Sequence, residues 1–151
     1  MVHLLELADR TDQLSALLSL WEASVRATHT FLCEADIVNL RPVVAEAIGM
    51  VPQFAVVSSD DTLLGFIGAA EGNVEMLFLH PDARGRGYGR QLMEHAITVW
   101  GCASVDVNEQ NPQALGFYQH LGFQIAGRSA LDGQGNPFPI LHLKLNQNTE
   151  Q

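Results

Sequence analysis

The chain has 151 residues, 47% of them apolar, which suits one domain with a buried core and excludes a disordered chain. Eight Lys and Arg stand against 17 Asp and Glu, a net charge of −9, so the broad basic surface that nucleic acid requires is missing. No apolar run approaches the length of a membrane span and no charged-then-apolar leader opens the chain, so neither nucleic acid nor membrane is the expected partner and the cytoplasm is the expected location.

Val2 to Glu6 reads as a short strand. Leu14, Leu17, Leu18, Trp21 and Val25 then recur at helical spacing, which predicts a helix from Thr11 to Ala27 with Asp9 or Thr11 as its cap. After a break at Thr28 to Cys33, a second helix is predicted over Glu34 to Ile48, disturbed by Pro42 and closed by Gly49. Phe54–Val57, Leu63–Ala70 and Val74–Leu79 are strands joined by polar turns, an antiparallel meander. Gly65 and Gly68 soften the middle strand, and Gly72-Asn73 makes its closing turn. Arg90 to Trp100 is a helix, and Ala103 to Val107 a strand that would pair in parallel beside Val74–Leu79 through a right-handed crossover. Asn111-Pro112 opens a further helix, with Asn as N-cap and Pro at the first helical position, and Gly122 closes it. Phe123–Gly127 and Ile140–Leu145 are the last strands, separated by the turn-rich stretch 132–137. One domain, residues 1–145, is expected, with a polar tail over 146–151.

The stretch from Glu75 to Gly89 is the most informative. An apolar strand runs into Pro81-Asp82, then Arg84-Gly85-Arg86-Gly87-Tyr88-Gly89-Arg90 leads into a helix. That order exposes backbone N–H groups at a helix N-terminus, the usual seat of a phosphate or pyrophosphate. Arg84, Arg86 and Arg90 concentrate positive charge there in an otherwise acidic chain. The spacing is neither Gly-x-Gly-x-x-Gly nor Gly-Lys-Ser/Thr, so dinucleotide and ATPase loops lose support. Scattered histidines with no helical metal spacing predict no metal site, and Cys33 and Cys102 read as free thiols in a reducing compartment. No nucleophile elbow is present, so transfer without an acyl-enzyme is expected.

Arg84-x-x-Gly87-x-Gly89 after an apolar strand resembles the loop with which the Gcn5-related N-acetyltransferases, the GNAT superfamily, bind the pyrophosphate of coenzyme A. Val107 to Phe123, with Asn111, Ala114, Tyr118 and Gly122-Phe123 in that order, resembles the superfamily's C-terminal motif. Together the motifs and the element order cover essentially the whole chain, which looks like the small stand-alone bacterial enzymes of that superfamily. The resemblance implies a single-domain α/β fold: a mixed sheet of about six to seven strands, a meander plus a splayed parallel pair, with about four flanking helices. It implies an N-acetyltransferase that moves an acetyl group from acetyl-CoA to a primary amine of a small molecule or a peptide, in a ternary complex. A non-catalytic acyl-CoA-binding module, or use of another acyl-CoA, is the alternative. The acidic surface favours a cationic acceptor, and a monomer or a homodimer is compatible with the sequence.

The resemblance also carries site roles. Tyr118 falls at the tyrosine placed beside the cofactor sulfur, and a phenol with an ordinary pKa of about 10 can protonate the departing thiolate at neutral pH. Glu75 falls where several relatives carry a general base. Strand alternation would put it on the face of Leu77 and Leu79, opposite Met76 and Phe78, where it would be partly desolvated. Glu71, Glu109 and His120 are weaker candidates. The backbone of Leu77, Phe78 and Leu79 matches the stretch that a strand bulge frees for the cofactor arm, and Asn111 matches the residue that touches that arm. His29 and Phe31 in the break after the first helix, and Phe138 before the last strand, match regions that shape the acceptor pocket.

Overall fold

The computed structural model describes residues 2–132 and 135–145. Strands β1 (Val2–Glu6), β2 (Gln53–Ser59), β3 (Thr62–Ala70) and β4 (Asn73–Leu79) pair antiparallel in succession. The turns are tight. Asp60 and Asp61 join β2 to β3 and Glu71-Gly72 joins β3 to β4, all four with positive φ, as two-residue hairpins of right-handed twist require. The second turn therefore lies one residue before the expected Gly72-Asn73. Gly65 and Gly68 are sites of close approach: the side chains of Leu79 and Met76 occupy the space their own side chains would need.

Helix α3 (Tyr88–Thr98) leads to β5 (Ser104–Asn108), which pairs with β4 in parallel. Helix α4 (Pro112–His120) follows, and then β6 (Phe123–Ser129) and β7 (Ile140–Leu145). The last strand inserts between its two predecessors, so the seven strands form one sheet in the order β1-β2-β3-β4-β5-β7-β6. Part of the expected turn, residues 133–134, and the tail 146–151 lie outside the described residues.

Period-two alternation divides the core between the two faces. Phe54, Val56 and Phe66 pack with Leu17, Trp21, Ile37 and Ile48 of α1 (Leu14–Thr28) and α2 (Glu34–Met50). Ala55, Val57 and Ile67 pack on the other side with Leu92, Met93 and Ala96 of α3 and with Tyr118 of α4. A 3-10 turn at Thr11–Gln13 precedes α1, and the Asp9 carboxylate accepts from the Thr11 N–H at 3.0 Å. Helix α2 runs through Pro42 and past Gly49 to Met50. Its C-terminal end is held by Arg10, a buried guanidinium that donates to the carbonyls of Ile48 at 2.9 Å and Val51 at 2.6 Å. With these carbonyls satisfied from outside, the helix needs no glycine to end it.

One irregularity positions the site. Gly68 and Ala69 of β3 are consecutive, yet they pair with Met76 and Val74, so Glu75 is an extra residue in β4. Pairing of β4 with β5 covers only Asn73–Ser104 and Val74–Val105. From Glu75 onward the edge of β4 facing β5 has no strand partner among the described residues, and the parallel pair splays open there.

Candidate active site

The loop that follows β4 is locked at both ends. His80 Nδ1 accepts from the Asp82 N–H at 3.1 Å, and Ala83 is buried beneath the Pro81 turn. Gly85 and Gly87 have φ of 79° and 85°, conformations that cost an L-residue with a side chain roughly 1–2 kcal/mol. Gly87 is the N-cap of α3 and offers no side-chain cap, and no backbone acceptor among the described residues pairs with the N–H groups of residues 85–90. Gly89 lies against Leu79 and Phe117, so the helix start sits close to both β4 and α4. The Arg84 guanidinium donates to Gln113 Oε1 at 2.8 Å, which ties the loop to the first turn of α4.

These groups open onto a cleft of about 330 Å³. It is lined by Leu77, Phe78 and Leu79 of β4, by Arg84, Gly85, Gly87, Gly89 and Arg90 of the following loop and the start of α3, by Asn111 and Tyr118 of α4 and its cap, and by His29. Uncapped N–H groups at a helix N-terminus, two glycines with left-handed backbone and two arginines are the donor set a pyrophosphate needs. Tyr118 is only 6% exposed, with Phe117 and Phe123 edge-on to its ring at 5.1 and 6.0 Å. Burial pushes its phenol pKa well up, so the hydroxyl stays protonated, and that hydroxyl bonds to no described residue. Asn111 is buried and caps α4 through Ala114 N–H at 3.3 Å, while its side chain still borders the cleft.

An acetyltransferase (GNAT) domain family matches residues 51–125. The peptidyl-lysine N-acetyltransferase YjaB of Salmonella typhimurium is 39% identical over 134 residues, covering 89% of this chain and 92% of that protein. The chain belongs to the GNAT acetyltransferase family. The solution structure of apo YjaB from Escherichia coli superposes with a TM-score of 0.85 at 35% identity, over 95% of this chain and 97% of that one. The PaiA N-acetyltransferase of Thermoplasma acidophilum, solved with coenzyme A, shares the fold: its TM-score is 0.71 at 20% identity, over 97% of this chain and 99% of that one. The chain is thus an N-acetyltransferase with acetyl-CoA as co-substrate, as the sequence implied.

Within this GNAT domain the remaining expected residues separate into two groups. Phe31 and Phe138 do not reach the main cleft. They line an adjoining apolar pocket of about 160 Å³ that shares His29 and Phe78 with it. Ring centroids there are 5.4 Å apart for His29–Phe31 and 5.6 Å for Phe31–Phe138. Arg86, Tyr88 and Glu75 border neither space. Glu75 is exposed, and its carboxylate accepts from Asn73 Nδ2 at 2.7 Å. The partial desolvation expected of it is absent, and the bulge changes the phase at its neighbour: Val74 packs on the side of Leu77 and Leu79, and Met76 and Phe78 on the other. The bulge itself lies at Glu75, two residues before the expected Leu77–Leu79, which pair regularly with β3. Of the weaker candidates, Glu109 is held by a two-bond pairing with Arg128 at 2.7 and 2.9 Å, which lowers its pKa, and Glu71 and His120 are exposed.

The structure adds cleft residues that sequence reasoning passed over: Ser24 and Thr28 on α1, and Gln113 and Phe117 on α4. A signal existed in both places. Ser24 and Thr28 are polar and four apart beside an apolar helical stripe, and Gln113 and Phe117 share a face at the same spacing. No group of three or more metal-ligating side chains occurs among the described residues, and no helix there is long and apolar enough to cross a membrane.

Proposed function

We propose that this chain transfers an acetyl group from acetyl-CoA directly to the side-chain amine of a lysine in a peptide or protein. The observation that carries this reading is the apolar pocket beside the thioester cleft. Phe31, Phe78, Phe138 and Ile140 line it, Asp132 borders it, and it shares His29 and Phe78 with the cleft. A lysine side chain matches that chemistry, with four methylenes for the aromatic walls and an ammonium for a neighbouring carboxylate. Similarity to a protein named a peptidyl-lysine N-acetyltransferase along 89% of the chain supports the same acceptor class. The net charge of −9 favours a cationic segment around that lysine.

Acetyl-CoA supplies an activated thioester carbonyl. In this proposal the N–H groups at the start of α3, with Arg84 and Arg90, hold the pyrophosphate. The free edge of β4 at Leu77–Leu79 pairs with the cofactor arm beside Asn111, and Tyr118 protonates the leaving sulfur. Glu75 contributes negative charge where β4 and β5 part, drawing in an ammonium. Thiol release from acetyl-CoA, measured with lysine-containing peptides and with a panel of small amines, tests the reading. Peptide-dependent release, with acetyl-lysine found by mass spectrometry, is expected. Release stimulated only by small amines would overturn the peptide acceptor.

A further inference from the structure

The last turn of α1 ends in a chain of polar groups beside the cleft. Thr28 Oγ1 donates to the Ser24 carbonyl at 2.8 Å, and the same oxygen lies 2.7 Å from His29 Nδ1. A threonine hydroxyl has one hydrogen. With that hydrogen given to Ser24, the Thr28 oxygen accepts from the imidazole, and Nδ1 carries the ring proton. Nε2 then keeps its lone pair, and no described residue hydrogen-bonds to it. The backbone is held as well: the His29 N–H donates to the Val25 carbonyl at 2.7 Å, and the His29 carbonyl accepts from Leu32 N–H at 3.0 Å. Just outside, Arg26 grips Glu34 with two bonds of 2.9 and 2.7 Å, joining α1 to α2 across the break.

The place of this ring matters as much as its tautomer. His29, with Phe78, lines both the cleft that holds Tyr118 and the apolar pocket of Phe31 and Phe138, so it stands between the two spaces. Resting on the acetyl-transfer reading above, we propose that His29 Nε2 takes the proton from the acceptor ammonium, with Thr28 as the positioning residue that keeps that nitrogen free.

The charged and titratable groups around the ring are consistent with this role. Arg26 and Glu34 border its outer side and are paired with each other, Asp132 borders the apolar pocket, and Arg84, Arg90 and the protonated Tyr118 line the cleft. Desolvation lowers the imidazole pKa from its ordinary value of about 6.5, so the ring is neutral at pH 7. The ammonium gives one proton to Nε2, and the amine lone pair forms the C–N bond at the thioester carbonyl. The C–S bond breaks and Tyr118 protonates the sulfur. The nitrogen sheds its second proton as the amide forms, which restores Tyr118. His29 returns its proton to solvent.

The test compares wild type, His29→Ala, His29→Gln and Thr28→Val, with acetyl-CoA and a lysine peptide. Both His29 variants are expected to lose on the order of 10²–10⁴-fold in turnover, with acetyl-CoA binding unchanged. Added imidazole should restore part of the rate to His29→Ala and not to His29→Gln, whose side chain fills the space and cannot take a proton. Ring ¹⁵N shifts of the labelled protein should report an Nδ1–H tautomer in wild type and lose that signature in Thr28→Val, a readout independent of activity. Turnover of His29→Gln within about threefold of wild type would overturn the proposal, as would a change confined to the acceptor KM with no rescue by imidazole. An Nε2–H tautomer in wild type would overturn it too. If wild type itself releases no thiol with any amine, the acetyl-transfer reading has failed and this assignment falls with it. An active wild type beside an active His29→Gln removes the assignment alone.

Discussion

Gly85, Gly87 and Gly89, between Arg84 and Arg90, line the cleft from one short stretch of chain, whereas the adjoining pocket gathers His29, Phe31, Phe78 and Phe138 as side chains from distant parts of the chain. The first region depends on what its residues lack: Gly85 and Gly87 have no side chain to oppose positive φ, and Gly87 has none to cap α3. The second depends on what its residues present, a set of rings packed within about 5 to 6 Å of one another. A site made from backbone tolerates change around it but not within it. A site made from side chains can alter its ligand one residue at a time, which suits recognition of a common donor at one end and a particular acceptor at the other.

Breaking the chemistry common to both regions has the largest expected effect. Tyr118→Phe should lower turnover by about tenfold or more while leaving acetyl-CoA affinity intact, checked by thiol release and by calorimetric titration. Unchanged turnover would remove Tyr118 from the mechanism. Next comes the backbone region. Gly87→Val must hold a branched residue at φ 85° and is expected to raise the acetyl-CoA KM by about tenfold. Arg84→Ala should act on the same constant more weakly and in a salt-dependent way, because its guanidinium is exposed. Phe138→Ala should leave that constant alone and raise the peptide KM by about threefold to tenfold, the worth of one aromatic contact. If it moved the acetyl-CoA KM instead, the division of the site between two regions would be wrong.

The smallest effect is on stability. The fold lowers the pKa of His29, so the unfolded chain binds a proton more readily than the native one below about pH 6.5. Stability from this group is therefore fully present above about pH 6.5 and is lost as pH falls toward the lowered native value. Thermal unfolding of wild type and His29→Gln between about pH 5 and 7 should show a shallower pH slope in the variant. Equal slopes would mean that the native ring is as free to protonate as the unfolded one.

Much of the donor side was legible in the chain itself. The glycine loop, the Asn111-Pro112 helix start and the motif that carries Tyr118 lie in short contiguous stretches, and all of them arrive at one cleft. Glu75 was not legible in the same way. Alternation assumes one residue opposite each partner, and the pairing of Gly68 and Ala69 with Met76 and Val74 leaves Glu75 as an extra, exposed residue that no local pattern announces. Gly49 failed as a helix stop for a related reason. The groups that satisfy the end of α2 belong to Arg10, some forty residues away, and no local pattern announces such a contact.

The sequence by itself determined the element order, the family and the acetyl donor, because phosphate recognition by a helix N-terminus and its capping are local events, written in residues a few positions apart. Tertiary structure alone decided where β4 and β5 part, that the last strand inserts between β5 and β6, and that Phe31 and Phe138 share a pocket. It also decided that His29 borders the same cleft as Tyr118, with Nδ1 against Thr28 and no described residue bonded to Nε2. These depend on register and on packing between segments distant in sequence, where the balance is set by burial and by hydrogen bonds that only the assembled fold can offer.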